Sequence, residues 1–371
     1  METCVGPHTY IIFTILFLSF AYGVHIFEPD SISAQCIALI FALSGLHVAQ
    51  KLIPRGRLKP EGRAVFITGC DTGFGHKLAL RCDQIGFRVF AGCLLPDGAD
   101  AQEFSSEGSK RLTIVPCDVT SDDSVLAAKK LVSETVINEK LDLWACVNNA
   151  GITRIGEIDM VPMEVFKKVM EVNTFGMIRV TKAFIPMIIR SKGRFVNVTS
   201  VMARWCNPTG SAYGMSKMAA DIFSDVLRYE MHKWGVKVSI IQPGAYGATT
   251  LISKFFNSDQ VRADFIWNGM DEGTQQVYGR PYVDEIQQCV SDWVKYDCYT
   301  DNTPVIDAMI DAILSKHPKH RYVVGGLIAS LMWPDIIRFN MFPTWLSDIP
   351  MLKSQKALGV PAALQEKNKS N

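Results

Sequence analysis

The segment AVFITGCDTGFGHKLAL, residues 64–80, places a short apolar run directly before a loop with three glycines and a helix-like stretch. Gly69, Gly73 and Gly75 let the backbone turn tightly and approach a diphosphate, which the amide groups that open the next helix can hold. Glycines also serve ordinary strand-to-helix turns, so the loop alone does not identify a nucleotide site. The strand before it and the helix after it favour one.

Outward from this segment, short β-branched runs alternate with longer helical stretches, as in a parallel sheet covered on both faces. Further strand candidates lie at residues 88–93, 112–117, 143–148, 194–199 and 237–242, and the clearest helix candidates at 121–136 and 162–189. We therefore expect an α/β protein with a doubly wound parallel sheet (Rossmann fold) over residues 58–330. Residues 331–371 form an apolar and aromatic C-terminal segment and tail.

Residues 1–57 contain two apolar runs, 10–27 and 32–48, and each approaches the roughly 20 residues that cross a bilayer. A secretory signal opens with basic residues, which METCVGPHT lacks. Basic residues follow the second run, and this places the following domain in the cytosol. We expect a membrane hairpin in the endoplasmic reticulum; a single span with a half-buried segment is the alternative. A mitochondrial membrane is less favoured because no Arg-rich amphipathic presequence is present.

The composition excludes several other classes of function. A formal charge of +1 over 371 residues favours neither a nucleic-acid groove nor an acidic partner. The ten cysteines form no CxxC pair, and four of them sit in or beside apolar strand-like runs: Cys70, Cys93, Cys117 and Cys146. We expect free thiols in a reducing compartment and no structural zinc.

Two sets of serine, tyrosine and lysine with identical spacing occur in the chain: Ser200, Tyr213 and Lys217, and Ser216, Tyr229 and Lys233. Residues 212–234 contain no proline and have helical spacing, so Ser216 and Tyr229 should lie about 20 Å apart on one helix. Ser200 instead ends an apolar strand, and ligands of open α/β sheets bind at the carboxyl ends of strands. The first set therefore predicts an active site, and Tyr229 and Lys233 are predicted to be surface residues.

Seven motifs in series resemble the short-chain dehydrogenases/reductases over about residues 63–316. They are TGCDTGFG (68–75), NNAG (148–151), Asn173 in EVNTFG, Ser200, Tyr213, Lys217 and PG (243–244). Within that family the chain is most similar to the membrane-associated hydroxysteroid and retinol dehydrogenases and to D-3-hydroxybutyrate dehydrogenase. GCLLPDG (92–98) and WGVKVSIIQPG (234–244) carry this similarity. Ala248 departs from the pattern, because a threonine usually stands there.

The resemblance implies a catalytic set of Asn173, Ser200, Tyr213 and Lys217. It implies cofactor contacts from Gly69, Asp71, Gly73, Phe74, Gly75, Asp118, Val119, Asn148, Ala150, Gly151, Tyr213, Lys217, Pro243 and Gly244. Ser200 would hold the substrate oxygen and Tyr213 would take its proton while hydride passes to a nicotinamide. A free phenol ionises near pH 10; the Lys217 ammonium, together with the nicotinamide cation, would lower that pKa.

Two of these implied roles have plainer alternatives. Asn173 would anchor a water behind Lys217, or it is a helix-interior residue with a local backbone bond. Asp118 would meet the adenine amino group, or it caps the following helix. The loop up to Gly75 and the end of the second strand contain no Lys or Arg, and Asp71 would repel a 2′-phosphate. NAD is therefore expected rather than NADP.

The substrate should contact residues 201–211 and the insertion after Gly244. The insertion offers a mostly apolar set: Tyr246, Phe255, Phe256, Phe265 and Trp267. Such a wall suits a lipid alcohol or ketone such as a steroid or retinoid. A small hydroxy acid such as 3-hydroxybutyrate would need a cation, and Arg204 is the one in the first loop.

Two further possibilities stay open at this point. The domain could bind NAD without catalysis and scaffold a membrane complex, although the intact Asn, Ser, Tyr and Lys set argues against this. The aromatic residues at 333–345 would lie at the membrane interface or cover the second copy of a homodimer.

Overall fold

The computed structural model describes residues 56–98, 104, 107–204, 208–246, 259–296, 298–325 and 360–369. Its strands are β1 (Arg63–Thr68), β2 (Arg88–Cys93), β3 (Leu112–Pro116), β4 (Asp142–Asn148), β5 (Arg194–Val198), β6 (Lys237–Pro243) and β7 (Arg321–Val324). They form one parallel sheet in the order β3-β2-β1-β4-β5-β6-β7. The predicted doubly wound sheet is thus confirmed, and β7 is an edge strand that the sequence did not predict.

The chain starts in the middle of this sheet, builds outward to β3 and then crosses back to β4. The direction of winding therefore reverses between β1 and β4, and a crevice opens at the carboxyl ends of these two strands. The loops after β1, β4, β5 and β6 all leave the sheet at this edge. This edge holds the segments that carry the predicted site.

Helices cover both faces of the sheet. They are α1 (Gly73–Ile85), α2 (Asp122–Asn138), α3 (Met163–Met170), α4 (Met177–Ser191), α5 (Ser211–His232), α6 (Asp259–Gly269), α7 (Glu272–Tyr278), α8 (Arg280–Tyr296), α9 (Thr303–Leu314) and α10 (Ala362–Lys369). Alternate residues of β1 point to opposite faces. Val65 and Ile67 pack in the core with α1 and α9, while Phe66 packs against α4 and stacks on Phe184 at 4.5 Å.

The helix predicted over residues 162–189 is divided into three parts. A π-helical segment, Glu171–Gly176, joins α3 to α4. Among the described residues, 163–191 is the one helical stretch long and apolar enough to cross a membrane. Val180, Phe184 and Ile188 in it are fully buried in the core, so this stretch is a core helix of the domain. The two apolar runs of the predicted membrane hairpin lie outside the described residues.

The four cysteines near the strands are free and buried. Burial raises the pKa of Cys93 and Cys117 to about 12, with nearby negative groups adding to the effect. These thiols therefore act as small apolar groups of the core.

The outward face of α5 carries apolar side chains at helical spacing: Met215, Met218, Ile222 and Val226, each more than 40% exposed. A face of this kind is open to a second copy of the chain. The homodimer stays a prediction.

Candidate active site

The serine at the end of β5 and the tyrosine at the start of α5 lie together. Ser200 caps a short 3₁₀ turn, Val201–Ala203, and its hydroxyl accepts from the Met202 N–H at 3.2 Å. The chain then returns, and α5 brings Tyr213 back to the same edge of the sheet. A side-chain hydrogen bond joins Ser200 to the phenol of Tyr213. The two hydroxyls therefore face one site, as the sequence predicts.

Lys217 follows one helical turn after Tyr213 and is 3% exposed. Its Nζ donates to the Val198 carbonyl at 3.0 Å, and it lies 5.7 Å from the centroid of the Tyr213 ring. Burial lowers the pKa of Lys217 from 10.5 to about 8. At neutral pH Lys217 therefore keeps its proton, although burial of the ammonium costs free energy. The positive charge lies close to the phenol of Tyr213, which it is expected to activate.

The phenol of Tyr213 is itself inside the protein. Burial raises its pKa above 10, and the hydrogen bond from Ser200 opposes this rise. The direction differs from the one expected from the sequence because burial of the phenol outweighs its polar neighbours. The expected lowering needs the nicotinamide cation as well as Lys217, and it stays a prediction for the cofactor complex.

Asn173 lies in the π-helical segment and is fully buried. Its Oδ1 accepts from the Ile152 N–H at 2.8 Å, and its Nδ2 donates to the Ile152 carbonyl and to Ser216 Oγ, both at 2.9 Å. These partners lie on other elements of the fold. Asn173 therefore does not make the local backbone bond that was the alternative to a catalytic role. A Cβ on Gly151 would stand 3.3 Å from both Asn173 Oδ1 and Lys217 Nζ, so the two side chains converge behind that glycine.

The second serine, tyrosine and lysine set does not form a site. Ser216 and Tyr229 lie on the same helix, α5, and Tyr229 is 67% exposed. Ser216 has a role that the sequence analysis missed, because its hydroxyl holds Asn173.

The glycine loop after β1 is closely packed. Gly69 and Gly73 adopt φ values of +67° and +68°, which favour glycine. A Cβ on Gly75 would stand 2.2 Å from the Gly69 carbonyl oxygen, so only glycine fits where α1 meets the loop. Asn149, which the sequence analysis did not single out, donates through Nδ2 to the Thr68 and Gly69 carbonyls at 2.9 and 3.0 Å. Its place beside Asn148 in the NNAG motif was the feature of the sequence that could have indicated this role.

The start of α1 suits a diphosphate. Among the described residues, no side chain caps this helix, and the buried Oγ1 of Thr72 has no hydrogen-bond partner. The first turn contains no acid. Free amide groups, an unpartnered hydroxyl and a backbone cradle without Cβ atoms therefore fit the anionic part of a dinucleotide. Phe74, in the same turn, packs edge-on against Tyr246 at 5.7 Å.

Asp71 reaches from the glycine loop to the end of β2. Its carboxylate accepts from the Leu94 N–H at 3.1 Å and from the Leu95 N–H at 2.9 Å. The sequence shows no acid at the tip of β2, where a dinucleotide fold usually has one. Asp71 supplies a carboxylate at that place from the loop after β1.

The remaining predicted cofactor residues lie along the same edge. Asp118 Oδ1 accepts hydrogen bonds from the Thr120 N–H and hydroxyl. Burial raises the pKa of Asp118, but these hydrogen bonds outweigh burial, so the pKa is lowered overall. Val119 is buried and contacts Gly176, and Ala150 packs against Gly69. Pro243 ends β6, and its carbonyl lies 3.5 Å from Ser200 Oγ, while the Gly244 N–H donates to β7.

The side chain of Asn148 is used inside the protein. Its Nδ2 donates to Thr181 Oγ1 at 3.0 Å and to Asn197 Oδ1 at 2.9 Å. Asn148 is 3% exposed, so these contacts stabilise the junction of β4 and β5. A contact of Asn148 with the cofactor stays a prediction, and it would involve the backbone rather than this amide nitrogen.

The structure divides the aromatic set proposed for the substrate wall. Tyr246 is 4% exposed and belongs to the core beside Phe74 and Tyr299. Phe265 is 45% exposed, and Trp267 packs beside a small core of the insertion. Phe255 and Phe256 lie outside the described residues.

A charged network behind the site was not predicted. Asp221, 2% exposed on α5, accepts from Thr199 Oγ1 at 3.2 Å, from Gln242 Nε2 at 2.8 Å and from Arg321 Nη1 at 2.7 Å. It thereby ties the helix of Tyr213 to the ends of β5 and β6 and to β7. Such pairs are far apart in sequence, so no local pattern signals them.

The family model described as short chain dehydrogenase matches residues 63–260. The mitochondrial D-beta-hydroxybutyrate dehydrogenase of Bos taurus is 42% identical over 73% of this chain and 81% of its own length. Estradiol 17-beta-dehydrogenase 2 of Mus musculus is 34% identical over 90% of this chain and 84% of its own length. The solved structure of a short-chain dehydrogenase from Streptomyces avermitilis covers 80% of this chain and 99% of its own, with 20% identity and a TM-score of 0.59. This last similarity concerns the fold.

The buried ammonium predicts a pH dependence of stability. Unfolded chains keep the Lys217 proton up to pH 10.5, while the folded protein releases it near pH 8. The free energy of unfolding should therefore rise between these pH values, by up to about 3 kcal/mol. Lys217→Met removes this rise, and Lys233→Met, at an exposed lysine, keeps it. Urea unfolding at pH 7 to 10 measures it; parallel curves for wild type and Lys217→Met would contradict the assignment.

Proposed function

This chain belongs to the short-chain dehydrogenase family, and from that premise we propose that it is a membrane-anchored, NAD-dependent dehydrogenase of lipid alcohols. The substrate group is a secondary or allylic alcohol, or the corresponding ketone in the reverse direction. The observation that carries the proposal is the convergence of Ser200, Tyr213 and the buried Lys217 at the carboxyl edge of the sheet, next to the glycine loop.

The chain divides the proton chemistry among these three residues. Ser200 donates a hydrogen bond to the substrate oxygen and holds it beside the phenol. Tyr213 takes the hydroxyl proton, and the charge of Lys217 stabilises the phenolate that results. Asn173, fixed by Ile152 and Ser216, stands beside Lys217, where a water could pass the proton outward. When bound, NAD supplies the hydride acceptor.

NAD is favoured over NADP by the charge at the ribose end of the site. The glycine loop and the start of α1 would hold the diphosphate. Asp71, fixed by the Leu94 and Leu95 amides, would accept from the ribose hydroxyls and repel a 2′-phosphate. Lys217 would also bind the hydroxyls of the nicotinamide ribose.

A lipid substrate is supported by the chemistry of the insertion after β6. Phe265 on α6 is 45% exposed, and it lies with Ile266 beside Ile155 of the loop that follows Gly151. A relative that is named for estradiol, a steroid alcohol, covers 90% of this chain. Apolar walls with few polar groups suit such a substrate.

Arg204 favours a second candidate, a 3-hydroxybutyrate dehydrogenase. It follows the 3₁₀ turn that Ser200 caps and is 8% exposed, so a cation lies inside the protein close to the reacting groups. A relative named for D-beta-hydroxybutyrate shares 42% identity. If Arg204→Ala raises KM for 3-hydroxybutyrate at least tenfold while steroid turnover stays constant, this candidate gains over the first.

The catalytic assignment predicts that Tyr213→Phe lowers kcat for alcohol oxidation by about 100-fold to 10,000-fold, because the general base is lost. Tyr229→Phe is the matched control, since Tyr229 is followed by a lysine at the same spacing but is exposed. The assay follows NADH formation by the detergent-purified protein with a panel of steroids and retinol. Equal activity of Tyr213→Phe and wild type would refute the mechanism.

The cofactor assignment predicts that Asp71→Asn raises the affinity for NADP at least tenfold, because the repulsive charge is removed while a hydrogen-bond acceptor is kept. Affinity for NAD should change less. Calorimetric titration of both cofactors measures this, with Asp142→Asn at the amino end of β4 as control. An unchanged ratio of the two affinities in Asp71→Asn would exclude Asp71 from the ribose site.

The anchoring proposal places the enzyme in the endoplasmic reticulum membrane with its catalytic domain in the cytosol. We expect removal of residues 1–56 to shift the protein from the membrane fraction to the soluble fraction without loss of NAD binding. Immunoblots of separated microsomes and mitochondria measure both the fraction and the organelle. Recovery of the shortened chain in membranes would contradict an N-terminal anchor. Recovery of the full chain in mitochondria would contradict the assignment to the endoplasmic reticulum.

A further inference from the structure

A basic surface lies at the amino edge of the sheet, opposite to the edge that carries the candidate active site. It is formed by the segments that lead into β5, β6 and β7, namely residues 190–194 (RSKGR), 232–237 (HKWGVK) and 315–321 (SKHPKHR). None of these three segments contains Asp or Glu. Together they form the basic edge of the domain.

The segments of the basic edge lie side by side, because β5, β6 and β7 are neighbours in the parallel sheet. The Lys237 N–H donates to the Gly193 carbonyl at 3.0 Å, which joins the first two segments. The side chain of Lys192 also reaches the second segment, since a Cβ on Gly235 would stand 3.8 Å from the Lys192 Cδ. The basic edge is therefore one continuous positive surface.

The charge of this surface is exposed and is not neutralised within the domain. Lys192, Lys233, Lys237 and Lys316 are exposed, and among the residues that the structure describes none of them pairs with an acid. Arg321, in contrast, is held by two acids of α5. The four ammonium groups are therefore available to an anionic partner.

The acids on neighbouring segments leave this excess of positive charge in place. Glu139, before β4, is held by Arg88 at 2.9 Å. Glu61, Asp142 and Glu230 are exposed there, and they are fewer than the exposed lysines of the basic edge. Because the whole chain has a net charge of only +1, its other acids lie away from this edge. A flat anionic surface would therefore attract the basic edge and orient the domain.

The chain that carries the predicted membrane hairpin joins the domain at this surface. Arg57 forms an antiparallel bridge with Ser315, and the Ser315 carbonyl accepts from Arg194 Nη1 at 2.9 Å. Residues 49–56 separate the second apolar run from Arg57, and an extended chain of that length spans at most about 30 Å. A bilayer that held this run would therefore lie within reach of the basic edge.

We propose that the basic edge docks the domain on a bilayer that contains anionic phospholipids. Lysines near such a surface are attracted to the lipid headgroups, and this attraction acts over about a Debye length, roughly 8 Å at physiological salt. The edge of the sheet that carries Tyr213 and the glycine loop then stays open to the water, from which NAD enters. The proposal rests on the proposed membrane anchor for what brings the domain to a bilayer, whereas the charge belongs to the domain itself.

The first experiment measures how well the lipid surface protects individual lysines. The full-length protein is placed in nanodiscs of phosphatidylcholine, with and without about 30% phosphatidylserine, and its lysines are acetylated and quantified by mass spectrometry. We expect the edge lysines to react at least fivefold more slowly on the anionic discs, and about 0.5 M sodium chloride should remove the difference. The edge lysines are Lys192, Lys233, Lys237 and Lys316, and the controls are Lys130, Lys167 and Lys182, exposed on α2, α3 and α4. The controls should react at rates within twofold on the two discs.

Two variants with the same change in charge test whether the protection depends on the basic edge. The edge variant carries Lys192→Gln, Lys233→Gln and Lys237→Gln, and the control variant carries Lys130→Gln, Lys167→Gln and Lys182→Gln. Lys316 remains in both and reports on docking. We expect its protection on anionic discs to be lost in the edge variant and kept in the control variant. Thermal unfolding shows that both variants are folded, and full protection of Lys316 in the edge variant would overturn the proposal.

Incorporation into the discs separates the docking surface from the proposed anchor. If the protein incorporates into both kinds of disc and its edge lysines react equally on them, the docking surface is overturned and the anchor stands. If the protein incorporates into neither, the anchor fails, and the full-length chain is then sedimented with vesicles of the same two compositions. Binding to the anionic vesicles alone, reversed by salt, supports the docking surface without the anchor. Binding to neither vesicle overturns both.

Discussion

The buried ammonium of Lys217 is the interaction on which the site depends. It is 3% exposed, and it donates to the carbonyl of Val198 at the end of β5. A charge in such a place is costly, so α5 must be held firmly against the strand ends to keep it there. Asp221, one turn further along α5, does this through Thr199, Gln242 and Arg321. The same docking fixes Tyr213 against Ser200.

Much of this arrangement could be predicted from the sequence because it depends on local patterns, namely apolar strand runs and helical spacing. The six predicted strands agree with the observed ones within one residue at each end. The two serine, tyrosine and lysine sets were separated by helical geometry and by the position of Ser200 at the end of a strand. Tyr229 is exposed on the helix that also bears Ser216. β7 was missed because four residues, RYVV, are too short for a periodic signal.

Contacts between distant segments could not be predicted in the same way. Asn149 and Asp71 belong to recognised motifs, but their partners, the Gly69 carbonyl and the Leu94 and Leu95 amides, are set by the way that the strands lie side by side. Tyr246 looked like part of a substrate wall, and it is instead buried against Phe74. An aromatic residue in a loop has no local feature that separates core packing from ligand contact. The hydrogen bonds between Arg262 and Gln287 likewise depend on how α6 and α8 pack.

The most direct measurement of the central claim is the ionisation of Tyr213 with and without NAD. The absorbance difference at the tyrosinate band between wild type and Tyr213→Phe, followed through a pH titration, isolates this one phenol. In the protein alone its pKa should lie above 10, because burial dominates. With NAD bound it should fall below that of a free phenol, since the nicotinamide cation adds to the charge of Lys217. A titration that NAD leaves unchanged would contradict the account.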